Sequence, residues 1–160
     1  MKIPKNLFLR LVISCGIVLF LDQLSKIIVS HALKLGQSSP LIPGVVSAVK
    51  VHNYGTIWGL AQGSNMIFAG LAIVIITLIV VFTPMIVKDK WTSITIGMIL
   101  GGAVGNLLDR ITRGFVVDFI HVDFIDFPVF NVADMGIVVA AILLVIIMFF
   151  MESKSIANDQ

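Results

Sequence analysis

A chain of 160 residues with 58% hydrophobic and 12% charged residues, and a mean hydropathy of +1.07, lies outside the range of soluble globular domains. Its net charge of +2 comes without a basic stripe interleaved with aromatics, which argues against nucleic acid as a partner. The single cysteine, Cys15, leaves no internal disulfide to form.

A hydrocarbon core about 30 Å thick needs about 20 apolar residues as helix. Four segments meet or approach that length: 7–29, 66–87, 91–109 and 131–151. The expected fold class is an all-α membrane protein, one domain over 1–160. It has four transmembrane helices and a small extracytoplasmic β-containing subdomain at about 30–65, between helices 1 and 2.

Lys2, Lys5 and Arg10 precede the first apolar stretch, as they would in a secretory signal. No small-residue cleavage site follows, and the stretch runs into DQLSK, so it reads as a retained span. VISC, ending at Cys15, resembles a lipid-attachment box, but the apolar run before it is short and interrupted by Arg10; Cys15 reads as a core thiol. Asp22 and Lys26 stand four residues apart, acid toward the N-terminus, the favourable order for an ion pair on one helical face. An unpaired charge in a span costs about 2.5 to 3.5 kcal/mol on insertion scales, so mutual pairing in support of the fold is the bland reading. A direct role in chemistry stays open beside it.

Between the first two spans, Pro40, Pro43 and several glycines interrupt any helix, while the β-branched VVSAVKV at 45–51 reads as a strand. Tyr54 and Trp58, in the glycine-spaced HNYGTIWG, suit the headgroup level. Pro84 should kink or finish the second span. In the third, Gly97, Gly101 and Gly105 recur every four residues and allow close approach of another helix. Gly102, Asn106 and Arg110 share a face that ends in an amide and a guanidinium. The fourth span opens with Asn131, a good N-cap, and Asp134 follows in its first turn.

An even number of spans puts both termini on one side. Lys2, Lys5, Arg10, Lys88, Lys90 and Lys154 lie on that side, against Lys26, Lys34, Lys50, Arg110 and Arg113 opposite. The dense pair Lys88 and Lys90 in a short turn places the termini in the cytoplasm and the opposite end outside.

That outer end carries GFVVDFIHVDFIDFPVFNVADMG, residues 114–136, with Asp118, Asp123, Asp126 and Asp134; Asp109 lies just before it. Two carboxylates about 4 Å apart at an effective dielectric near 20 repel by roughly 4 kcal/mol. That is about three pKa units, so such a pair holds one proton near neutral pH. One member then accepts a proton from water while the other donates to a carbonyl oxygen, the chemistry of aspartic peptide hydrolysis. Asp118 and Asp134 flank two spans that must emerge on the same side, and the residues between them can fold back as a hairpin. By pattern alone Asp123 or Asp126 can replace either member, Asp134 can be a helix cap, and Asp118 can pair with Arg113 at the surface.

No HExxH occurs, and His31, His52 and His121 lack metal-ligand spacing, so no metal and no cofactor is expected. No serine sits in a nucleophile motif. A proton-coupled transporter is the rival from another class, since carboxylates near membrane helices mark proton relays, although here the acids cluster at one end and no internal repeat appears. A lipid-modifying transferase is a third reading.

DQLSK at 22–26, NYGTIWG at 53–59, GGAVGNLLDRITRGFVVDFI at 101–120 and FNVADMGI at 130–137 resemble, in order, the signature blocks of the bacterial lipoprotein signal peptidases, or signal peptidase II. Thr56, Ile57 and Trp58 depart from that pattern, standing where the family more often has small residues and Phe. The resemblance implies an aspartic endopeptidase of the bacterial cytoplasmic membrane that cuts diacylglyceryl-modified prolipoproteins before the lipidated cysteine. It implies Asp118 and Asp134 as catalytic dyad, and Asn53 and Gly55 in a substrate-facing loop. Asn106, Arg110 and Asn131 would line the site as substrate-binding residues, with Asp22 and Lys26 as a charged pair supporting the fold. The partners so implied are lipidated precursors and membrane lipid, with a monomer as the working unit.

Overall fold

The computed structural model describes residues 2–55 and 65–158, with side chains as far as Phe150. Four helices carry the chain: α1 (Lys5–Ala32), α2 (Asn65–Ile86), α3 (Lys90–Arg113) and α4 (Val132–Asn158). Each has a stretch long and apolar enough to cross a membrane. Their outer faces are greasy. On α2 the buried residues are Ala69 and Thr83, while Ile67, Leu71, Val74, Leu78 and Val81 are exposed. An apolar surface of this extent is stable only against hydrocarbon.

The least apolar helix, α3, is the most buried and forms the centre of the bundle, packing on α1, α2 and α4. Its glycines explain why. A Cβ at Gly97 would run into the Leu11 carbonyl and the Ser14 side chain, and one at Gly101 would lie 2.5 Å from the Cys15 carbonyl oxygen. On the α4 side, a Cβ at Gly102 would lie 2.5 Å from the Ala133 carbonyl oxygen. The four-residue spacing thus lets backbones approach where hydrocarbon offers no hydrophobic drive for helix association. Ser93 adds a hydrogen bond across the same seam, donating to the Leu7 carbonyl. Leu7, Leu11, Val87, Ile96 and Leu100 form the apolar core at the end holding the α2–α3 turn, and Cys15 packs half-buried against them.

Helix ends follow local chemistry. Asp89 caps α3 by accepting from Trp91 N at 2.7 Å and Thr92 N at 3.0 Å, while Thr92 Oγ1 accepts from Asp89 N. Pro84 falls in the last turn of α2, which stops two residues later. Hydropathy ends the third span at Asp109, but α3 continues a further turn to Arg113 and closes on Gly114 at φ 80°. The extra turn is possible because Asp109 is neutralised inside the bundle.

At the end where α1 and α3 finish and α4 begins sits a three-stranded antiparallel sheet: β1 (Ser38–Ile42), β2 (Val46–Asn53) and β3 (Val116–Val122), in that spatial order. The strand expected at 45–51 is β2, slightly longer. β1 tolerates Pro40 because it is an edge strand. The sheet also draws a third strand from between α3 and α4, so Asp118 stands on β3, with Val51 of β2 as its partner. The chain does double back beyond β3: Ile120 and Phe130 form an antiparallel bridge that returns it to α4.

Candidate active site

Four elements, β2 with Asn53 among them, bring the acids and amides together. β3 presents Asp118, 3% exposed; the first turn of α4 presents Asp134; the last turns of α3 present Asn106 and Arg110. Asp118 Oδ2 accepts from Asn53 Nδ2 at 2.8 Å, and Oδ1 accepts from Asn131 Nδ2 at 2.6 Å. Asp134 Oδ1 accepts from Asn106 Nδ2 at 2.8 Å, and Oδ2 accepts from the Asn131 main-chain N–H at 3.2 Å. Asn131, fully buried, therefore donates to both carboxylates. Its Nδ2 also reaches Asn106 Oδ1 at 3.1 Å, closing a ring of amides around the pair.

Each carboxylate owes its place to local structure. Asn131 is the N-cap of α4, as its position predicts: its Oδ1 accepts from Asp134 N at 3.0 Å while Asp134 returns a bond to Asn131 N. Asn53 ends β2, and its Oδ1 accepts from Gly55 N at 2.8 Å, turning the chain at φ 95° where the adjacent Phe68 ring leaves no room for a Cβ. Asp118 does not pair with Arg113 at the surface; Arg113 binds Asp109 at 3.1 Å instead. Asp123 accepts from Ser47 Oγ and meets His121 Nδ1, away from the amide ring.

Burial pushes the Asp118 carboxyl up to about 6, and the Asp134 charge adds to the rise. Hydrogen bonds from Asn53 and Asn131, and the Lys26 charge, pull the other way. A buried acid with that poise beside a second carboxylate is equipped to trade a proton near neutral pH. Arg110 donates from Nη1 to the Asn106 carbonyl at 3.1 Å, and its guanidinium lies 6.0 Å from the Phe68 ring centroid. Beside Asn53, His52 stacks on Phe115 at 3.7 Å between centroids, and Tyr54 stands at 5.6 Å from the same ring, half-exposed.

Asp22 and Lys26 form the expected pair at 2.8 Å, both fully buried. Lys26 also binds Asp109 Oδ2 at 3.0 Å and donates to Asn106 Oδ1 at 3.0 Å, so the pair reaches the site through the amide. Asp109 and Gln23 were not singled out by sequence. The signal was available for Asp109: it is three residues past Asn106 and four before Arg113, on the same face of α3.

The family model described as "Signal peptidase (SPase) II" matches residues 14–150. The chain belongs to the signal peptidase II family. A lipoprotein signal peptidase of Geobacillus kaustophilus (strain HTA426) is 37% identical over 145 residues, covering 89% of this chain and 94% of the relative. One of Enterococcus faecalis (strain ATCC 700802 / V583) is 36% identical over 137 residues, covering 84% of each. A bacterial membrane enzyme whose structure was obtained by the in meso method at 2.3 Å has 31% identity and a TM-score of 0.79, with 90% of each chain covered. The family's resemblance blocks quoted above include Thr56, Ile57 and Trp58, which lie outside the described residues, as does the rest of 56–64.

Proposed function

We propose that the chain is an aspartic endopeptidase that removes the signal peptide from diacylglyceryl-modified prolipoproteins, with Asp118 and Asp134 as its catalytic dyad. The observation that carries this reading is the amide ring: Asn131 donates to both carboxylates at once, which ties the buried Asp118 and the half-buried Asp134 to one residue against their mutual repulsion. Family membership supplies the substrate class.

Water adds to the scissile carbonyl carbon, giving its proton to the ionised carboxylate, while the protonated partner delivers its proton to the carbonyl oxygen. The gem-diol then collapses. Its C–N bond breaks as the amide nitrogen takes the proton from the first carboxylate, and a hydroxyl proton returns to the second. The proton belongs to the pair, and the desolvation of Asp118 favours holding it there.

Asn53, Asn106 and Asn131 each donate from Nδ2 to a site carboxylate, so in this reading they hold the carboxylates rather than grip the peptide. In this reading Arg110 takes a backbone or ester carbonyl, and Gly55 turns the chain beside Asn53. The side of the bundle that carries the sheet faces away from the cytoplasm, with both termini inside, as Lys88 and Lys90 in the α2–α3 turn favour. A lipidated cysteine anchored in the outer leaflet then brings its peptide bond to the depth of Asp118. The unit is a monomer in contact with membrane lipid.

The test uses purified protein in detergent with lipidated and unlipidated precursor, each with and without a chelator. Cleavage confined to the lipidated form and indifferent to chelation is expected. Cleavage by Asp118→Asn or Asp134→Asn protein would overturn the dyad, and ion flux into vesicles without cleavage would favour the transporter.

A further inference from the structure

Behind the dyad lies a second pair of aspartates, each bonded to the residue just before a site acid. Asp22 Oδ1 accepts from the main-chain N–H of Ala133 at 3.0 Å, the residue immediately before Asp134. Asp109 Oδ2 accepts from the main-chain N–H of Val117 at 3.2 Å, the residue immediately before Asp118. Lys26 Nζ joins the two, at 2.8 Å from Asp22 Oδ2 and 3.0 Å from Asp109 Oδ2. Gln23 Nε2 doubles the link, donating to Asp22 at 3.1 Å and Asp109 at 3.2 Å. All three charged groups are fully buried.

We propose that Asp22, Lys26 and Asp109 act as a calliper that fixes the separation and orientation of the dyad, with Asp109 as a positioning residue in its own right. A pair serving only to fasten α1 to α3 has no need of the two backbone N–H groups that precede the site acids, which belong to α4 and β3. Here the ammonium sets the distance between two carboxylates, each carboxylate fixes one backbone point, and each point carries a site aspartate on the next residue. Lys26 also sets the rotation of the Asn106 amide: by taking Oδ1 it leaves Nδ2 aimed at Asp134. Two buried charge-assisted hydrogen bonds give such a link stiffness that a single neutral contact would not.

This inference rests on the dyad reading, and its test separates the two. Asp109→Asn keeps the size of the side chain but weakens its hold on Lys26 and Val117. The second variant, Asp109→Asn with Lys26→Met, removes the ammonium together with one partner, so that it does not face a weakened set of anions. In each, kcat and KM for lipidated precursor are measured beside thermal unfolding in detergent, with Asp118→Asn as reference.

A displacement of about 1 Å at the reacting groups costs on the order of 100-fold in rate. The expected result is a folded protein whose kcat falls roughly 10- to 100-fold with KM changed less than about 2-fold. Unchanged kcat in either folded variant, or a loss carried by KM alone, overturns the calliper while leaving the dyad standing. Failure of both variants to fold also overturns it, because the network then serves the fold and not the spacing. If Asp118→Asn itself cuts, the dyad reading fails first.

Discussion

Asn131 and Asp134 cap one another at the start of α4: Asn131 Oδ1 accepts from Asp134 N at 3.0 Å, and Asp134 Oδ2 accepts from Asn131 N at 3.2 Å. The same Asn131 donates from its side chain to Asp118, so a helix cap and an acid pair are built from one residue. Asn131→Ala removes a cap contributing about 1 kcal/mol and leaves Asp118 Oδ1 short of a buried donor, at about 1 to 3 kcal/mol more. Asn131→Asp is an equally good cap but sets a third carboxylate beside Asp118. Unfolding in detergent should therefore show the alanine variant clearly destabilised, while both variants lose most of their cleavage activity. An aspartate variant as active as the parent would mean that the side-chain amide is not needed at Asp118.

Asn53 stabilises the ionised form of Asp118 by donating to Oδ2 at 2.8 Å. Asn53→Ala withdraws that donor, so the Asp118 carboxyl rises above its present value of about 6. Because Asp118 holds the shared proton, it is the alkaline limb of the kcat/KM profile that should move to higher pH. A profile of unchanged shape, merely lower throughout, would show that Asn53 acts on loop geometry through Gly55 and not on the acid.

The same shift has a consequence for stability. The Asp118 carboxyl has a folded value of about 6 against an ordinary 3.8, so between those limits the folded state binds more protons than the unfolded one. Its contribution is fully present below pH 4 and is lost as pH rises through 6. Two units correspond to an upper figure on the order of 3 kcal/mol. Asp118→Asn cannot titrate, so the parent's stability should fall relative to the variant's between pH 4 and 7. Parallel curves over that range would show that Asp118 is not shifted in the folded protein.

The sequence exposed the four spans and the concentration of acid at one end, because hydropathy and charge are local properties. It also marked Asn131 as a cap, since capping depends on only three neighbouring positions. Asp109 stayed hidden for the opposite reason. A window of residues shows only Arg113, four places on, while the partners that give Asp109 its place, Lys26 on α1, 83 positions away in the numbering, and the backbone of β3, are set by the fold. β3 was missed because VVDFIHV carries its acid in mid-strand, and only the Asn53 and Asn131 amides make a buried aspartate tolerable there. The third span was cut short at Asp109 on the same ground: the charge ends the apolar run, but the ammonium that neutralises it comes from another helix.

The glycines of α3 separate packing from site geometry. A Cβ at Gly101 would lie 2.5 Å from the Cys15 carbonyl oxygen, a backbone atom of α1 that moves only if the whole helix moves. At Gly105 the obstacle is Asp22 Oδ2, also at 2.5 Å. That oxygen ends a short side chain and is pinned by Lys26 and Gln23, so it cannot swing aside without releasing Ala133. Both alanine variants should lose about 1 to 3 kcal/mol from overpacking. Gly70 on α2 has nothing within 4 Å of a Cβ, so Gly70→Ala should be neutral or stabilising by up to about 1 kcal/mol, with parental cleavage. Among the folded molecules, Gly105→Ala should show a lower kcat than Gly101→Ala, since only the former displaces the carboxylate that holds the residue before Asp134. Equal kcat values at equal stability loss would show that the Asp22 bond to Ala133 does not reach the acid pair.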